Sequence, residues 1–410
     1  MQSLVILGRQ PALGIAEVES LYGADKVTPI GGFAAGLDVD PCSVAFYRLG
    51  GSTRLAKVLT ILPYIDWKKI ENFLIETVPQ HLQYVPEGKF TLGLSVYGLD
   101  ISPSRLNATG LTLKKVARAA GRGTRVVQGN TLELSAAQVI HNQLTSDRAW
   151  ELLFIKDGTS TVVAQTMVIQ DIEAYSKRDQ ARPKRDAKVG MLPPKLAQII
   201  LNLATGPLPE SQITGECLPV NPRVRSLIPG TTVLDPFCGT GVMLQEAMLM
   251  GYNSIGTDLE PRMVEYSKAN IDWLKNLYTL EASAEFAVMD ATNATFPTGF
   301  TTIAAETYLG RPFSAPPTAQ VLSETISTTS GILKAFLQNV AHQTKPGFRL
   351  ALAVPAWSTG KNQFKHLPIL DRLTDMGYNR LSFVHAENKD LIYHREGQIV
   401  ARELVVLVRF

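Results

Sequence analysis

The 410-residue sequence predicts an α/β protein, with a C-terminal doubly wound sheet preceded by an α+β half. Three observations carry that expectation. Strand-like and helix-like stretches alternate from Thr232 onward, the pattern of a parallel sheet with right-handed crossovers. A glycine loop, Asp235-Pro-Phe-Cys-Gly-Thr-Gly241, follows an apolar strand and opens a helix. A second strand then ends in Asp258, where a βαβ nucleotide site places its ribose-binding acid.

Composition sets the outer bounds. The chain is too long for a single core, and 45% apolar with 19% charged residues describes a globular protein with ample material to bury. No apolar run approaches the length of a spanning helix, and Met1 to Arg9 lack a secretory leader pattern. Cys42, Cys217 and Cys238 have no metal-ligand spacing and cannot all pair, which suits a reducing compartment. The expectation is a cytoplasmic protein with no membrane contact and no metal site.

Residues 1–85 read as a small α+β unit. Ser3 to Leu7, Phe33 to Val39 and Val44 to Arg48 are expected strands, while Ala12 to Tyr22 and Trp67 to Leu82 are expected helices. Residues 86–170 read as a second such unit. Its expected strands are Phe90 to Tyr97, Thr124 to Gln128, Trp150 to Ile155 and Thr161 to Ile169, with helices at Arg105 to Ala120 and Ala136 to Leu144. Arg105, Lys114, Lys115, Arg118, Arg122 and Arg125 fall together with no acid among them. A solvated helix face ordinarily mixes signs, so this run is a candidate phosphate-binding face.

A basic linker follows over 171–190, where Lys177, Arg178, Arg182, Lys184, Arg185 and Lys188 face Asp179 and Asp186. Met191 to Ala204 then begins a helix with prolines in its first turn, where a missing N–H costs little. In the glycine loop, Gly239 and Gly241 permit positive φ and leave no Cβ between backbone and ligand. The helix from Val242 to Met250 offers free N–H groups to an anion. Leu244 stands where a dinucleotide fingerprint wants a small residue, which disfavours a nicotinamide oxidoreductase. Further helices are expected at Pro261 to Tyr278, Thr318 to His342 and Phe364 to Met376. Further strands are expected at Phe286 to Met289, Thr301 to Ala305, Phe348 to Val354, Leu381 to His385 and Glu403 to Phe410.

The Asp-Pro-x-x-Gly-x-Gly form resembles the first motif of S-adenosylmethionine-dependent methyltransferases acting on exocyclic amines of nucleic acids. Tyr175-Ser-Lys-Arg-Asp179, Arg182-Pro183 and Gly190-Met-Leu-Pro-Pro-Lys-Leu-Ala197 sharpen this. With the glycine loop, they resemble the tRNA guanosine-10 N2-methyltransferase family, most specifically between Tyr175 and Asp258. The resemblance implies a ferredoxin-like domain at 1–85, a THUMP-like RNA-binding domain at 86–170 and a Rossmann-like methyltransferase domain at 191–410. It implies S-adenosylmethionine held by Asp235, Phe237, Gly239 and Gly241 at the methionine end. Asp258 with Leu259 would hold the ribose, and Asp290 with Ala291 the adenine. tRNA is the implied partner, a small activating subunit is a candidate second one, and the chain is otherwise expected to be a monomer.

Such enzymes usually place Asp or Asn, two prolines and an aromatic after the fourth strand. This chain has Glu306-Thr307-Tyr308 there, so both prolines are missing. Glu306 is the candidate acceptor for the target amine, and Tyr308 the candidate stacking partner of a flipped base. The main rivals are a cofactor-binding RNA-binding protein without catalysis and an amine methyltransferase acting on ribosomal RNA or DNA.

Overall fold

The computed structural model describes residues 1–186, 191–213, 227–313, 315–360 and 363–410; Cys217 and the Lys188 to Gly190 end of the expected linker lie outside the described residues. The N-terminal half begins β1 (Ser3–Leu7), α1 (Pro11–Tyr22), β2 (Val27–Ile30), β3 (Ala34–Leu37), β4 (Ser52–Leu62) and α2 (Trp67–His81). It continues with β5 (Phe90–Tyr97), α3 (Pro103–Ala119), β6 (Thr124–Val126), α4 (Ala136–His141), β7 (Ala149–Asp157) and β8 (Ser160–Ile169). These strands pair in the order β2-β3-β1-β4-β8-β7-β5-β6. The two expected α+β units therefore share one sheet, joined where β4 runs antiparallel to β8 from Arg54↔Ile169 to Leu62↔Thr161.

Sequence reasoning missed β4. Leu59 and Ile61 are exposed beside Lys57, so apolar residues on the outer face hide the period-two signal. Val44 to Arg48, expected as a strand, lies instead around two 3-10 turns, Pro41–Ser43 and Phe46–Arg48. The Tyr22 hydroxyl takes the Ala45 amide at 3.0 Å, which spends that donor away from any ladder.

α5 (Ile172–Gln180) occupies nearly half of the stretch read as a linker. Asp171 caps it by accepting the Ala174 amide at 2.9 Å. Next come α6 (Pro194–Thr205), α7 (Glu210–Ile213), β9 (Thr232–Asp235), α8 (Val242–Leu249), β10 (Asn253–Asp258), α9 (Pro261–Leu277) and β11 (Ala284–Val288). The chain then forms β12 (Thr302–Glu306), α10 (Ala319–Gln343), β13 (Arg349–Gly360), β14 (Gln363–Lys365), β15 (Tyr378–Arg380), β16 (Ile392–Tyr393) and β17 (Val400–Arg409). The expected helix at Phe364 to Met376 is replaced by β14 and a 3-10 stretch that starts at Pro368, a residue with no N–H for a helical ladder.

The second sheet has the order β11-β10-β9-β12-β13-β17-β15. β9 to β13 are mutually parallel, and β17 enters antiparallel to β13. The chain winds outward from β9 through β10 to β11, then returns to the other side of β9 as β12. That reversal is the topological switch point, where a ligand crevice opens beyond the strands' carboxyl ends.

α6 is apolar nearly all round because it is covered on both sides. Leu196, Ile200, Leu201 and Leu203 are fully buried between α1 of the first half and the second sheet. Polar groups complete the junction. Arg48 Nε donates to Asn202 Oδ1 at 2.8 Å and its Nη2 to the Tyr252 hydroxyl at 2.7 Å. Glu17 accepts the Gly50 and Gly51 amides and Asn202 Nδ2, while Glu19 accepts the Val384 and His385 amides. The first half is thus held against the second sheet by directional bonds at buried sites. No helix among the described residues is long and apolar enough to cross a membrane.

Candidate active site

The glycine loop leaves β9 at the switch point. Asp235 ends the strand fully buried, and its Oδ1 accepts the Phe237 amide at 3.1 Å. Gly239 and Gly241 both take left-handed φ, 51° and 83°. A Cβ on Gly239 would meet nothing nearer than Phe237 O at 3.9 Å, so the space above it is a cradle that a side chain would fill. A Cβ on Gly241 would press on Ser267 at 3.0–3.2 Å, because the loop packs on α9. Ser267 Oγ donates to Gly239 O at 2.8 Å, and Asn270 Nδ2 donates to Thr240 O at 2.8 Å. The open backbone above Gly239 leaves room for a small ligand to lie directly on the main chain.

Three acids gather around this loop. Asp258 accepts the Gly239 amide at 2.9 Å through Oδ2 and the Glu260 amide at 2.9 Å through Oδ1. Burial lifts its carboxyl above the ordinary range, against the pull of those amides. Burial pushes Asp235 up well above that range, and the charges of Asp258 and Glu306 push it further. Asp258, Asp235 and Glu306 end three adjacent strands, β10, β9 and β12. Asp290, just past β11, is instead held low by the Thr292 hydroxyl, at 2.6 Å, and the Thr292 amide. Leu259 is exposed, Ala291 is buried, and half-buried Phe237 packs edge-on against Phe336 at 5.1 Å. Burial pushes the Cys238 thiol well up, which suits a small packed side chain better than a nucleophile.

Glu306 ends β12 one strand over. Its Oε1 accepts Arg402 Nε at 2.7 Å, and both side chains are largely buried. Glu306 pairs with Ala353 on β13, and Arg402 on β17 pairs with Pro355. Arg402 therefore reaches diagonally across β13, and the short Ala353 leaves room for it. The loop lacks its two prolines but has other anchors. The Thr307 amide extends the β12–β13 ladder to Ala353 O at 3.0 Å, and Gly310 takes φ 86° against Thr325 of α10. Tyr308 stands 44% exposed beyond this anchor, open to a stacking partner.

The expected RNA-facing cations divide. Lys115, Arg118, Arg125, Lys177, Lys184 and Arg185 are exposed, and Lys114 is half-buried. Arg105 is exposed but paired with Glu71. Arg122 turns inward to the Val85 and Pro86 carbonyls. Two residues leave the expected set. Arg178 is buried, donates to Glu246 Oε1 at 2.9 Å and stacks 4.4 Å over the Tyr175 ring. Arg182 is buried with Asp179 as its nearest acid, 3.9 Å away. A buried arginine committed to an internal acid has little surface left for a phosphate, so charge counting along the chain overstates this face.

Three contributors were not anticipated. Arg402 lies 96 residues beyond Glu306, and its readable signal is a lone Arg-Glu pair in the otherwise apolar run Val400 to Val408. Asn270 ties the loop to the segment after α5, since it also exchanges bonds with the Lys184 amide and carbonyl at 2.9 and 2.8 Å. Tyr266 lies beneath two cations, Lys184 at 5.4 Å and Arg262 at 5.7 Å.

Switch point, left-handed glycine loop and acid one crossover later make this a doubly wound α/β protein whose loop lies where such folds bind ligands, beyond the strands' carboxyl ends. Residues 166–269 match a DNA methylase family model. Over 154 residues the chain is 35% identical to the tRNA (guanine(10)-N2)-dimethyltransferase of Methanothermobacter thermautotrophicus, covering 35% of this chain and 38% of that protein. A protein of the same name from Methanocaldococcus jannaschii is 31% identical over 110 residues, 27% of this chain and 25% of that one. The match spans well under half the length of either curated relative. Among solved structures, TrmN from Thermus thermophilus aligns over 100% of both chains with TM-score 0.49 and 17% identity. A possible methylase from Clostridium difficile aligns over 98% of this chain and 97% of its own with TM-score 0.47 and 10% identity.

Proposed function

We propose that this protein is an S-adenosylmethionine-dependent methyltransferase that acts on the exocyclic N2 amine of a guanosine in tRNA. One observation carries the reading: an open glycine cradle, a ribose-type acid and an acid ending the next strand converge at a single switch point. The two curated relatives, both named tRNA (guanine(10)-N2)-dimethyltransferase, support the choice of substrate. In this reading Asp235, Phe237, Gly239 and Gly241 hold the amino-acid end of the cofactor, Asp258 and Leu259 its ribose, and Asp290 and Ala291 its base. Bound there, S-adenosylmethionine supplies an electrophilic methyl group.

The chain's own residues do the rest. A base amine is a poor nucleophile because its lone pair is delocalised into the ring. Glu306 accepts one of its hydrogens and helps localise that pair on nitrogen. Tyr308 stacks on the extruded base and fixes its plane. Thr307 and Gly310 hold the loop still, which replaces the stiffness of the absent prolines and keeps acceptor and amine in register. The exposed cations of α3 and of the α5 segment track the tRNA backbone. Residues 1–85 and 86–170 serve as ferredoxin-like and THUMP-like RNA-binding parts.

The test is incubation of the full chain with methyl-labelled S-adenosylmethionine and bulk tRNA, followed by mass spectrometry of the nucleosides. The expected product is N2-methylated guanosine. If all label stays free while the protein still retains tRNA, the protein is an RNA-binding protein without this activity.

A further inference from the structure

The Glu306–Arg402 pair is asymmetric. Arg402 uses Nε alone, and Glu306 uses Oε1 alone. Among the described residues neither the Arg402 Nη atoms nor Glu306 Oε2 has a hydrogen-bond partner, and none of these atoms is a fully buried orphan. The pair therefore presents one open acceptor beside open donors at the carboxyl end of β12. It does so on the sheet face that also carries Asp235, because β12 runs parallel beside β9 in the register Thr302↔Val233.

The Watson–Crick edge of guanine has the complementary sequence of groups. Its N2 amine and N1–H donate, and O6 next to them accepts. Adenine reverses this edge, with an amine in place of O6 and a bare nitrogen at N1. The open carboxylate oxygen and the guanidinium would meet the N2 amine and O6 of guanine, whereas the 6-amine of adenine would set donor against donor.

Resting on the proposed methyltransferase reading, we infer that Arg402 is a specificity-determining residue that reads guanine O6, while Glu306 accepts from the neighbouring amine. The Arg402 bond also positions Glu306. The acid has one more methylene than an aspartate, and its ion pair with a buried guanidinium holds the longer side chain in one rotamer. Through this pair, β17 takes over both base reading and the orientation of the acceptor.

The experiment uses the full chain and tRNA transcripts in which the methylated guanosine is kept or replaced by 2,6-diaminopurine. That analogue keeps the 2-amine but has an amine where guanine has O6. Wild type, Arg402→Lys and Arg402→Gln are compared by initial methylation rate and by fluorescence-anisotropy affinity for the same transcripts without cofactor. Wild type is expected to prefer guanosine by about tenfold or more, the scale of one good base contact. Both variants should lose most of that ratio, chiefly by slowing on guanosine. Arg402→Lys keeps the charge, so it guards against failure of the glutamine variant to fold, as read from melting curves. An undiminished ratio in a folded variant overturns the role of Arg402 and leaves the methyltransferase reading intact. No methylation of guanosine in any tRNA by wild type overturns both.

Discussion

Asp258 Oδ2 accepts the Gly239 amide at 2.9 Å, so the acid read as a ribose ligand also fastens the loop that faces the ligand. Each of its oxygens takes one backbone amide, and each keeps a lone pair for a sugar hydroxyl. Asp258→Ala should weaken cofactor binding by at least about tenfold, because the loop amide and the ligand lose the same partner. Asp258→Asn should lose less. Calorimetric titration with S-adenosylhomocysteine checks this, and equal losses in the two variants would count against the shared role.

Gly241→Ala combines a left-handed φ of 83° with a Cβ pressed on Ser267. The backbone cost is about 1–2 kcal/mol before any steric shift. A measurable drop in melting temperature is expected even without ligand. Gly239→Ala has open space above it, so it should melt closer to wild type yet bind cofactor poorly. Thermal melts with and without ligand separate the two effects.

Asn270→Ala breaks three bonds, to Thr240 O and to both backbone groups of Lys184. Leaving these groups unpaired should cost about 1–3 kcal/mol in urea unfolding. It should also raise proteolytic nicking around Lys184 and Arg185, since the segment after α5 loses its attachment. Unchanged nicking would mean that the Arg262–Asp186 ion pair suffices to hold the segment.

Removing exposed cations should change salt dependence more than folding. Lys115→Ala, Arg118→Ala and Arg125→Ala together should flatten the slope of log affinity for tRNA against log salt by roughly 2 to 3, if each meets a phosphate. Arg178→Ala should behave differently. It exposes no phosphate contact and breaks a buried pair with Glu246, so melting temperature should fall instead.

Glu17, at the junction of the halves, is pushed up by burial to about 7 despite three donors. An acid whose folded pKa is raised binds its proton more tightly when folded. Its stabilisation is complete below its ordinary value of 4.5 and is lost as pH rises through about 7. Wild-type melting temperature should therefore decline across that window relative to Glu17→Gln. Parallel pH profiles for the two proteins would remove Glu17 as the source.

Much of the second sheet was legible along the chain because its signals are local. A strand, two glycines and a helix start are set by backbone demands within a few residues, and the alternation of strands with helices follows from what each segment can bury. β4 was lost because its exposed half carries Leu59 and Ile61. The helix at Ile172–Gln180 was lost under its charge, which masked a capped turn beginning at Asp171.

The candidate site divides in the same way. Asp235, Gly239, Gly241 and Asp258 are neighbours through one βαβ turn, so their order in the chain already implies their proximity. Arg402 beside Glu306, Glu246 beneath Arg178 and Asn202 against Arg48 are joined only when distant segments pack. A charged side chain's surroundings depend on what folds over it. The residue list alone therefore showed where a nucleoside could lie, while the packed chain decided which cations still face solvent and which acid received an arginine.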